Sequence, residues 1–326
     1  MIEDIVDLEL PVAERLVIRR NRLQNDAKSS SHESEGSKAQ RRIAIVTGVH
    51  GDELEGQYVC ALVAQKVQAE FEQLRGIVDI YPAINPLGID AIERSIPYLE
   101  LDMNRYFAGE QERNDSYIAH LTDSITESLV GADLVVDIHA SNIYLREIPQ
   151  IRMDRNTSER LLPLARLMNV DFIWIHEAIT VLKSTLAHTL NARSTPTLVV
   201  EMGVGMRITP AFCNDLVRGI FRVMTHLGIW SDPDPRPVKA PIECKEGEVS
   251  YINSPAAGLF IPDVKHWIGV EQGELLGRIV QPLTGDVISE IRSPGAGTVF
   301  TLREYPVVME GSLLARVFTA ATELTR

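Results

Sequence analysis

Short apolar runs alternate with segments of helical periodicity along the first 230 residues of the chain. Strands are predicted at residues 43–47, 76–82, 133–139, 171–175 and 196–201, and helices at residues 54–74, 115–130, 157–168, 184–193 and 210–228. The strand segments are almost continuously apolar, which is typical of strands that helices cover on both faces. The pattern therefore predicts an α/β fold with a mostly parallel sheet flanked by helices.

Two polar segments interrupt this rhythm. Residues 25–41 are polar and rich in Ser without an apolar face, which favours a mobile loop after one or two N-terminal edge strands. Residues 231–240 are charged and rich in Pro, which is typical of a linker. We therefore predict a catalytic domain at residues 1–230 and a second domain at residues 241–326.

The second domain contains short apolar segments with Gly turns and no long helical pattern, so it is predicted to be all-β. Two similar phrases lie within residues 253–318, each with Ser-Pro, a nearby Gly and a later apolar pair. Such an internal repeat looks like a barrel-sandwich hybrid, the shape of lipoyl and biotinyl carriers. The turn between the phrases contains Thr284, Gly285 and Asp286 but no Lys to modify, which favours a structural or oligomer-forming role.

Composition narrows the class of protein. The chain has 326 residues, 45% of them hydrophobic, and a formal net charge of −13. This charge argues against nucleic acid or an anionic membrane surface as a partner. The three Cys residues are widely spaced, which disfavours a disulfide framework or a thiolate metal site. With no signal-peptide pattern and no apolar segment of transmembrane length, we expect a cytoplasmic enzyme.

Candidate chemistry begins where the first parallel strand passes into its helix. The stretch Arg42 to Gly56 carries His50 and Glu53 in a Gly-containing turn. In α/β sheets, ligands bind at this edge. An imidazole and a carboxylate three residues apart can close on one cation, and a catalytic zinc usually has three protein ligands. Since a lone H-x-x-E pair often arises by chance, a third ligand must be found.

His139 is the candidate for that ligand, because it ends a predicted strand as His50 does. Asp137 lies two residues earlier and so faces the same side of the strand. Glu201 ends another apolar strand, where a carboxylate needs a partner; an ion pair or a helix cap is the alternative to a catalytic role.

A loop after the second parallel strand supplies further polar groups. Asp102, Asn104 and Arg105 lie together in LDMNRYF, and Arg94 lies upstream. Paired guanidinium groups suit a carboxylate ligand, although solvated surface arginines are the common alternative. Farther along, Arg146, Glu147 and Arg152 are equally consistent with a pocket wall and with surface ion pairs. His176 and His188 are interpreted as ordinary structural or surface residues, and a place at the rim of the site is the alternative for His176, which follows a strand.

In order, the motifs GVHGDELEG, NP, LDMNRYF, DIHAS and VVEMG resemble the succinylglutamate desuccinylase/aspartoacylase family within the zinc carboxypeptidase superfamily. The resemblance implies a carboxypeptidase-like fold and one Zn²⁺ per subunit. It implies the following roles: His50, Glu53 and His139 as zinc ligands, Glu201 as general base, Arg94, Asn104 and Arg105 as substrate-binding residues, and Asp102 as the carboxylate that orients a zinc-bound His. Asp137 is then left with a structural role.

The implied reaction is hydrolysis of the amide bond of an N-acyl amino acid or a related small amide, by metal-activated water and a Glu general base. An arginine beside the metal, Arg94 or Arg105, would stabilise the oxyanion, and the sequence leaves open which. A zinc carboxypeptidase acting on short peptides is the first alternative, and a non-catalytic metal-binding scaffold is the second. The repeated β region favours a homo-oligomer only weakly.

Overall fold

The computed structural model describes residues 1–25, 40–97, 99–107, 116–177, 183–245 and 247–319. Most of the polar segment predicted as a mobile loop lies outside these residues. Within them, none of the helices is long and apolar enough to cross a membrane.

Strands and helices alternate through the first part of the chain. The strands are β1 (Ile2–Glu9), β2 (Arg15–Gln24), β3 (Arg42–Thr47), β4 (Ile77–Tyr81), β5 (Leu134–Ala140), β6 (Leu145–Asp154), β7 (Phe172–His176) and β8 (Thr197–Gly203). The helices are α1 (Glu55–Ala69), α2 (Pro86–Ala91), α3 (Ser116–Leu129), α4 (Arg155–Ala165), α5 (Leu186–Ala192) and α6 (Pro210–His226). The predicted strands and helices are therefore present, with ends that differ by a few residues.

Four parallel strands form the centre of the main sheet, in the order β4-β3-β5-β8. Apolar side chains alternate between two cores: Ile43, Ile45 and Val136 face α1 and α6, whereas Val46 and Val135 face α3 and α5. Burial on both faces is the reason that these strands are continuous apolar runs. The predicted mixed α/β fold, with a large sheet between helices, is confirmed.

The sheet changes direction at β6, which pairs antiparallel with β8 and parallel with β7. The sequence pattern predicts no strand at Leu145–Asp154. This strand contains Pro149 and the charged residues Arg146, Glu147 and Arg152, so it lacks the apolar run that marked the other strands. Its charges have partners within the fold, and the sheet is parallel only in part.

The C-terminal region is β-rich, as predicted. Its strands are β9 (Ile242–Lys245), β10 (Val249–Asn253), β11 (Gly258–Pro262), β12 (Ile268–Val270), β13 (Leu275–Val280), β14 (Val287–Arg292), β15 (Gly297–Arg303), β16 (Val307–Val308) and β17 (Leu313–Phe318). β14, β13, β11 and β16 form a separate four-stranded sheet, whereas β15 pairs with β6 and β9 pairs with β7. The main sheet thus continues from the α/β part into the C-terminal region.

The turn after β3 is held against the start of α2 by close backbone packing. A Cβ atom on Gly51 would lie 2.0 Å from the carbonyl carbon of Gly88 and 2.2 Å from its oxygen. The Gly51 amide donates to the Glu93 carbonyl at 3.0 Å, and the Asn85 side chain donates to the Val49 carbonyl at 3.3 Å. Gly51 therefore allows this close approach, which places the turn containing His50.

Substitution Gly51→Ala is expected to destabilise the protein, because the new methyl group meets backbone that cannot move aside. We expect the free energy of unfolding to fall by roughly 2–3 kcal/mol, as for other overpacked sites. Urea denaturation followed by circular dichroism measures this change.

Gly269→Ala is the matched control. The nearest atom to its added Cβ lies 4.0 Å away, and Gly269 is exposed. The control should change the free energy of unfolding by no more than about 0.5 kcal/mol. Equal stability of both variants would contradict the steric argument.

Candidate metal centre and catalytic site

Three ligand-type side chains meet at the carboxyl edge of the parallel strands. His50 follows β3, Glu53 precedes α1 and His139 lies near the end of β5; all three are buried. Glu53 Oε1 lies 2.8 Å from His50 Nδ1, and Glu53 Oε2 lies 3.0 Å from His139 Nδ1. The three residues predicted as zinc ligands are therefore brought together around one carboxylate.

Each imidazole has a second carboxylate at its other nitrogen. Asp102 Oδ1 lies 3.0 Å from His50 Nε2, and Asp137 Oδ1 lies 3.2 Å from His139 Nε2. A carboxylate behind an imidazole fixes its tautomer and orientation. Asp102 is therefore placed where the resemblance implied, and Asp137 takes the equivalent place behind His139.

The electrostatics of this cluster favour an ionised Glu53 carboxylate beside a positively charged group. Burial disfavours ionisation of Glu53, but the adjacent imidazoles His50 and His139 hold its pKa well below the usual range. Burial likewise opposes protonation of His139, yet the carboxylates of Asp137 and Glu53 raise its pKa. The carboxylates around the two imidazoles therefore favour a cation at this position.

The donor set fits a metal ion. One donor atom from each of His50, Glu53 and His139 lies within 4.8 Å of the others. Donors about 2.1 Å from a tetrahedral Zn²⁺ are roughly 3.4 Å apart, so the three donors need little rearrangement. Two nitrogen donors and one oxygen donor are the ligands of many catalytic zinc sites.

The predicted substrate-binding residues lie next to this cluster. Arg94 Nη1 donates to Glu53 Oε1 at 3.0 Å, and its Nη2 donates to Asp102 Oδ2 at 3.5 Å. Arg105 Nη2 lies 3.6 Å from Asp102 Oδ2. Asn104 is buried and its side-chain oxygen accepts from the Leu186 amide at 3.0 Å, which leaves the amide NH₂ as its donor group. Asp102 therefore connects both arginines to His50.

Glu201 lies in β8, directly opposite His139 in the register of β5 and β8. Opposed residues share one face of a sheet, so both side chains point to the same side. The Glu201 side chain is 19% exposed, and its Oε1 lies 3.5 Å from Arg152 Nη1. Burial raises the pKa of Glu201, although the charge of Arg152 acts in the opposite direction.

Apart from Asp102, the residues of the cluster, the two arginines, Asn104, Glu201 and Arg152 border one cavity of about 520 Å³. Its wall includes His50, Glu53, Arg94, Asn104, Arg105, Asp137, His139, Tyr144, Glu147, Arg152, His176, His188, Val199, Glu201 and Arg316. A volume of this size suits a small molecule.

The residues with open roles, Arg146, Glu147 and Arg152, differ in whether they line the cavity. Glu147 and Arg152 are wall residues, whereas Arg146 forms a bidentate ion pair with Glu304 and is not part of the described wall. His176 and His188, interpreted as structural or surface residues, both line the cavity. Arg316 was not singled out, because β17 carried no local motif and its approach depends on the pairing of distant strands.

Residues 39–227 match the model of the succinylglutamate desuccinylase/aspartoacylase catalytic domain. No curated protein matches the sequence.

Solved structures of similar fold come from several bacteria. The product-bound ectoine utilization protein EutE (DoeB) from Ruegeria pomeroyi is 19% identical, with 97% of this chain and 93% of that chain covered and a TM-score of 0.79. A succinylglutamate desuccinylase/aspartoacylase from Rhodobacter sphaeroides is 23% identical, with 95% and 91% covered and a TM-score of 0.75. A succinylglutamate desuccinylase from a Silicibacter species is 19% identical, with 98% and 94% covered and a TM-score of 0.80. These likenesses extend the shared fold over almost the whole chain.

The family match covers more than half of the chain and contains the whole His50–Glu53–His139 cluster together with Glu201. As the order of its motifs predicted, the chain belongs to the succinylglutamate desuccinylase/aspartoacylase family.

Proposed function

We propose that the protein is a zinc-dependent hydrolase that cleaves the amide bond of an N-acyl amino acid or a related small amide, with one Zn²⁺ per subunit. Membership of a family of deacylating hydrolases supports an amide-bond hydrolase. The observation that carries the finer proposal is the convergence of His50, Glu53, His139 and Glu201 on one cavity.

His50, Glu53 and His139 would hold the zinc, with Asp102 and Asp137 orienting the two imidazoles. Bound zinc supplies a Lewis acid that polarises a carbonyl and lowers the pKa of water towards about 7. Ionised Glu53 contributes a negative charge that offsets part of the charge of the cation.

Glu201 is proposed as the general base. Its carboxylate lies on the cavity side of β8, on the same face as His139, where it can take a proton from the attacking water. The same carboxyl group can then deliver that proton to the leaving amine. Burial, which raises the pKa of Glu201, makes it a stronger base than an exposed carboxylate.

Arg94, Asn104 and Arg105 are proposed to bind the substrate from the other side of the cluster. Arg94 donates to Glu53, a proposed zinc ligand, so it is the arginine that we assign to the oxyanion. Arg105, which is 39% exposed, and the Asn104 amide are then assigned to a carboxylate of the substrate.

The cavity also bears on the alternative substrate. A carboxypeptidase needs an open cleft through which a peptide extends, whereas a volume of about 520 Å³ suits a molecule the size of an acyl amino acid.

We also propose that residues 241–326 form a barrel-sandwich-hybrid-like domain joined through a linker at residues 231–240 to the catalytic domain at residues 1–230. The enclosed core that includes Phe260, Leu276 and Val299 supports this division.

Hydrolysis should be measured on N-acetyl, N-succinyl and N-formyl amino acids beside short peptides, with the zinc content of the same samples. We expect cleavage of one acyl class, abolished by a chelator and restored by Zn²⁺, because the ligand set needs its metal. Cleavage of peptides alone would establish a carboxypeptidase instead. Bound metal without any cleavage would favour the scaffold.

Substitution Glu201→Gln should remove the base while retaining the metal ligands. We expect kcat to fall by roughly 10²–10⁴-fold, the usual contribution of general base catalysis, with an unchanged zinc content. Steady-state kinetics and metal analysis measure both. The control is Glu290→Gln, a half-exposed Glu of β14 that pairs with Arg292, which should retain full activity. Full turnover by Glu201→Gln would refute the assigned base.

Substitution His139→Ala should remove a zinc ligand. The zinc content of the purified protein is expected to fall well below one per subunit, because two ligands remain. His226→Ala is the control, since His226 ends α6 outside the described cavity wall. Equal zinc content in both variants, measured by mass spectrometry, would place the metal elsewhere.

A further inference from the structure

A buried carboxylate lies beside the general base without taking part in the chemistry described above. Glu147 of β6 is 1% exposed. Its Oε1 accepts from Arg152 Nη2 at 3.0 Å and from Arg316 Nη1 at 2.7 Å. Its Oε2 accepts from Thr301 Oγ1 at 2.9 Å and from the Gln150 amide. Four donors therefore saturate this carboxylate.

The register of the sheet creates this arrangement. Glu147 is opposite Thr301 in the pairing of β6 with β15, and Thr301 is opposite Arg316 in the pairing of β15 with β17. Since opposed residues share a face, the three side chains form a row across three strands. The row begins in the α/β part and ends in the last strand of the C-terminal region.

Arg152 lies at the end of this row that faces the base. It is opposite Val199 in the pairing of β6 with β8, so it shares a face with Glu201, two residues further along β8. Its Nη1 lies 3.5 Å from Glu201 Oε1, while its Nη2 contacts Glu147 and its Nε donates towards Gln150 at 3.5 Å. Each guanidinium nitrogen thus faces a protein group.

Aromatic contacts fix both guanidinium groups. The Arg152 guanidinium lies 5.5 Å from the centroid of Trp174, and that of Arg316 lies 5.6 Å from the same centroid and 5.6 Å from that of Tyr251. Cation–π contacts at this distance stabilise a chosen orientation of a guanidinium. Burial opposes ionisation of Glu147, but Arg152 and Arg316 lower its pKa, so the cluster remains charged.

We propose that Arg152 is a positioning residue for Glu201, held in place by Glu147 and Arg316, so that strand β17 of the C-terminal region is part of the catalytic apparatus. This inference rests on the proposed function of Glu201. A carboxylate that is 19% exposed at a cavity wall can adopt several rotamers, and the charged group at 3.5 Å selects one of them. A buried salt bridge is weak evidence for stability, so the contact of this cluster with Glu201 favours a positioning role.

Substitution Arg152→Met keeps the apolar stem and removes the charge. We expect kcat to fall by roughly 100-fold, as for a displacement of about 1 Å in a catalytic group, whereas KM changes by less than about threefold. Arg152→Lys keeps a charge and should recover part of the lost kcat. Zinc content should remain that of the wild type in both variants.

Arg146→Met is the matched control. Arg146 lies on the same strand and forms an ion pair with Glu304 across the same junction. It is not among the residues of the described cavity wall. Its kcat and KM should equal those of the wild type. Arg316→Met should lower kcat by roughly tenfold, a smaller effect, because Glu147 still contacts Arg152 after the loss of Arg316.

Several outcomes would overturn the inference. Wild-type kcat in Arg152→Met would do so, as would a rise in KM at constant kcat, which would make Arg152 a substrate-binding residue. If kcat fell as far in Arg146→Met as in Arg152→Met, the two arginines would share a structural role at the junction, and Arg152 would have no specific effect on Glu201. If Arg152→Met does not fold, the Arg316→Met variant decides, and an undiminished kcat there would refute the link to β17.

Crystal structures separate this inference from the proposed function. If the wild-type enzyme hydrolyses no acyl amino acid and no peptide, the proposed function fails. The position of the Glu201 carboxylate in wild-type and Arg152→Met crystals still tests the inference. A shift of about 1 Å or more, or several rotamers in the variant alone, would support positioning by Arg152. The same single rotamer in both crystals would refute it.

Discussion

The shared carboxylate of Glu53 is the interaction on which the site depends. Its two oxygens contact imidazoles from different parts of the chain, and Arg94 donates to one of them. Since a buried carboxylate is stable only with such partners, Glu53 requires both histidines at fixed positions. Asp102 bonds to the outer nitrogen of His50, and Asp137 lies 3.2 Å from that of His139. The contacts between these carboxylates and imidazoles therefore determine the arrangement of the cluster, and no single loop does so alone.

The parallel strands supply that arrangement through their two-residue period. In β5, Leu134, Val136 and Ile138 face one core, which directs Asp137 and His139 to the opposite side. In β8, Leu198, Val200 and Met202 face the same core, which directs Glu201 to the side of His139. The apolar residues that stabilise the sheet thus also decide which polar residues meet. A shift of one residue in register would place His139 in the core and would destroy both the packing and the site.

The sequence predicted those parts of the fold whose signal is local. Apolar runs located the parallel strands, and polar residues at their ends, such as His50, His139 and Glu201, indicated the site edge. Strand β6 was not predicted, because Glu147 and Arg152 interrupt its apolar pattern, and their sequence context is equally consistent with a pocket wall and with surface ion pairs. The place of Arg316 at the cavity was not predicted either, because its contact with Glu147 joins residues 169 positions apart. Long-range pairing of charges leaves no periodicity in a sequence, whereas burial of apolar faces does.

The junction at β6 shows how the β-rich region can bear on the chemistry. Ordinary surface ion pairs such as Arg146 with Glu304 would suffice to attach one region to another, and they tolerate exposure to water. Burying Glu147 between Arg152 and Arg316 is costly, because its charge leaves water and the two guanidinium groups lose most of their exposure. The fold offsets this cost with four hydrogen bonds to one carboxylate and with the aromatic face of Trp174. Such an arrangement is understandable where orientation matters more than stability, and the group that Arg152 faces is Glu201.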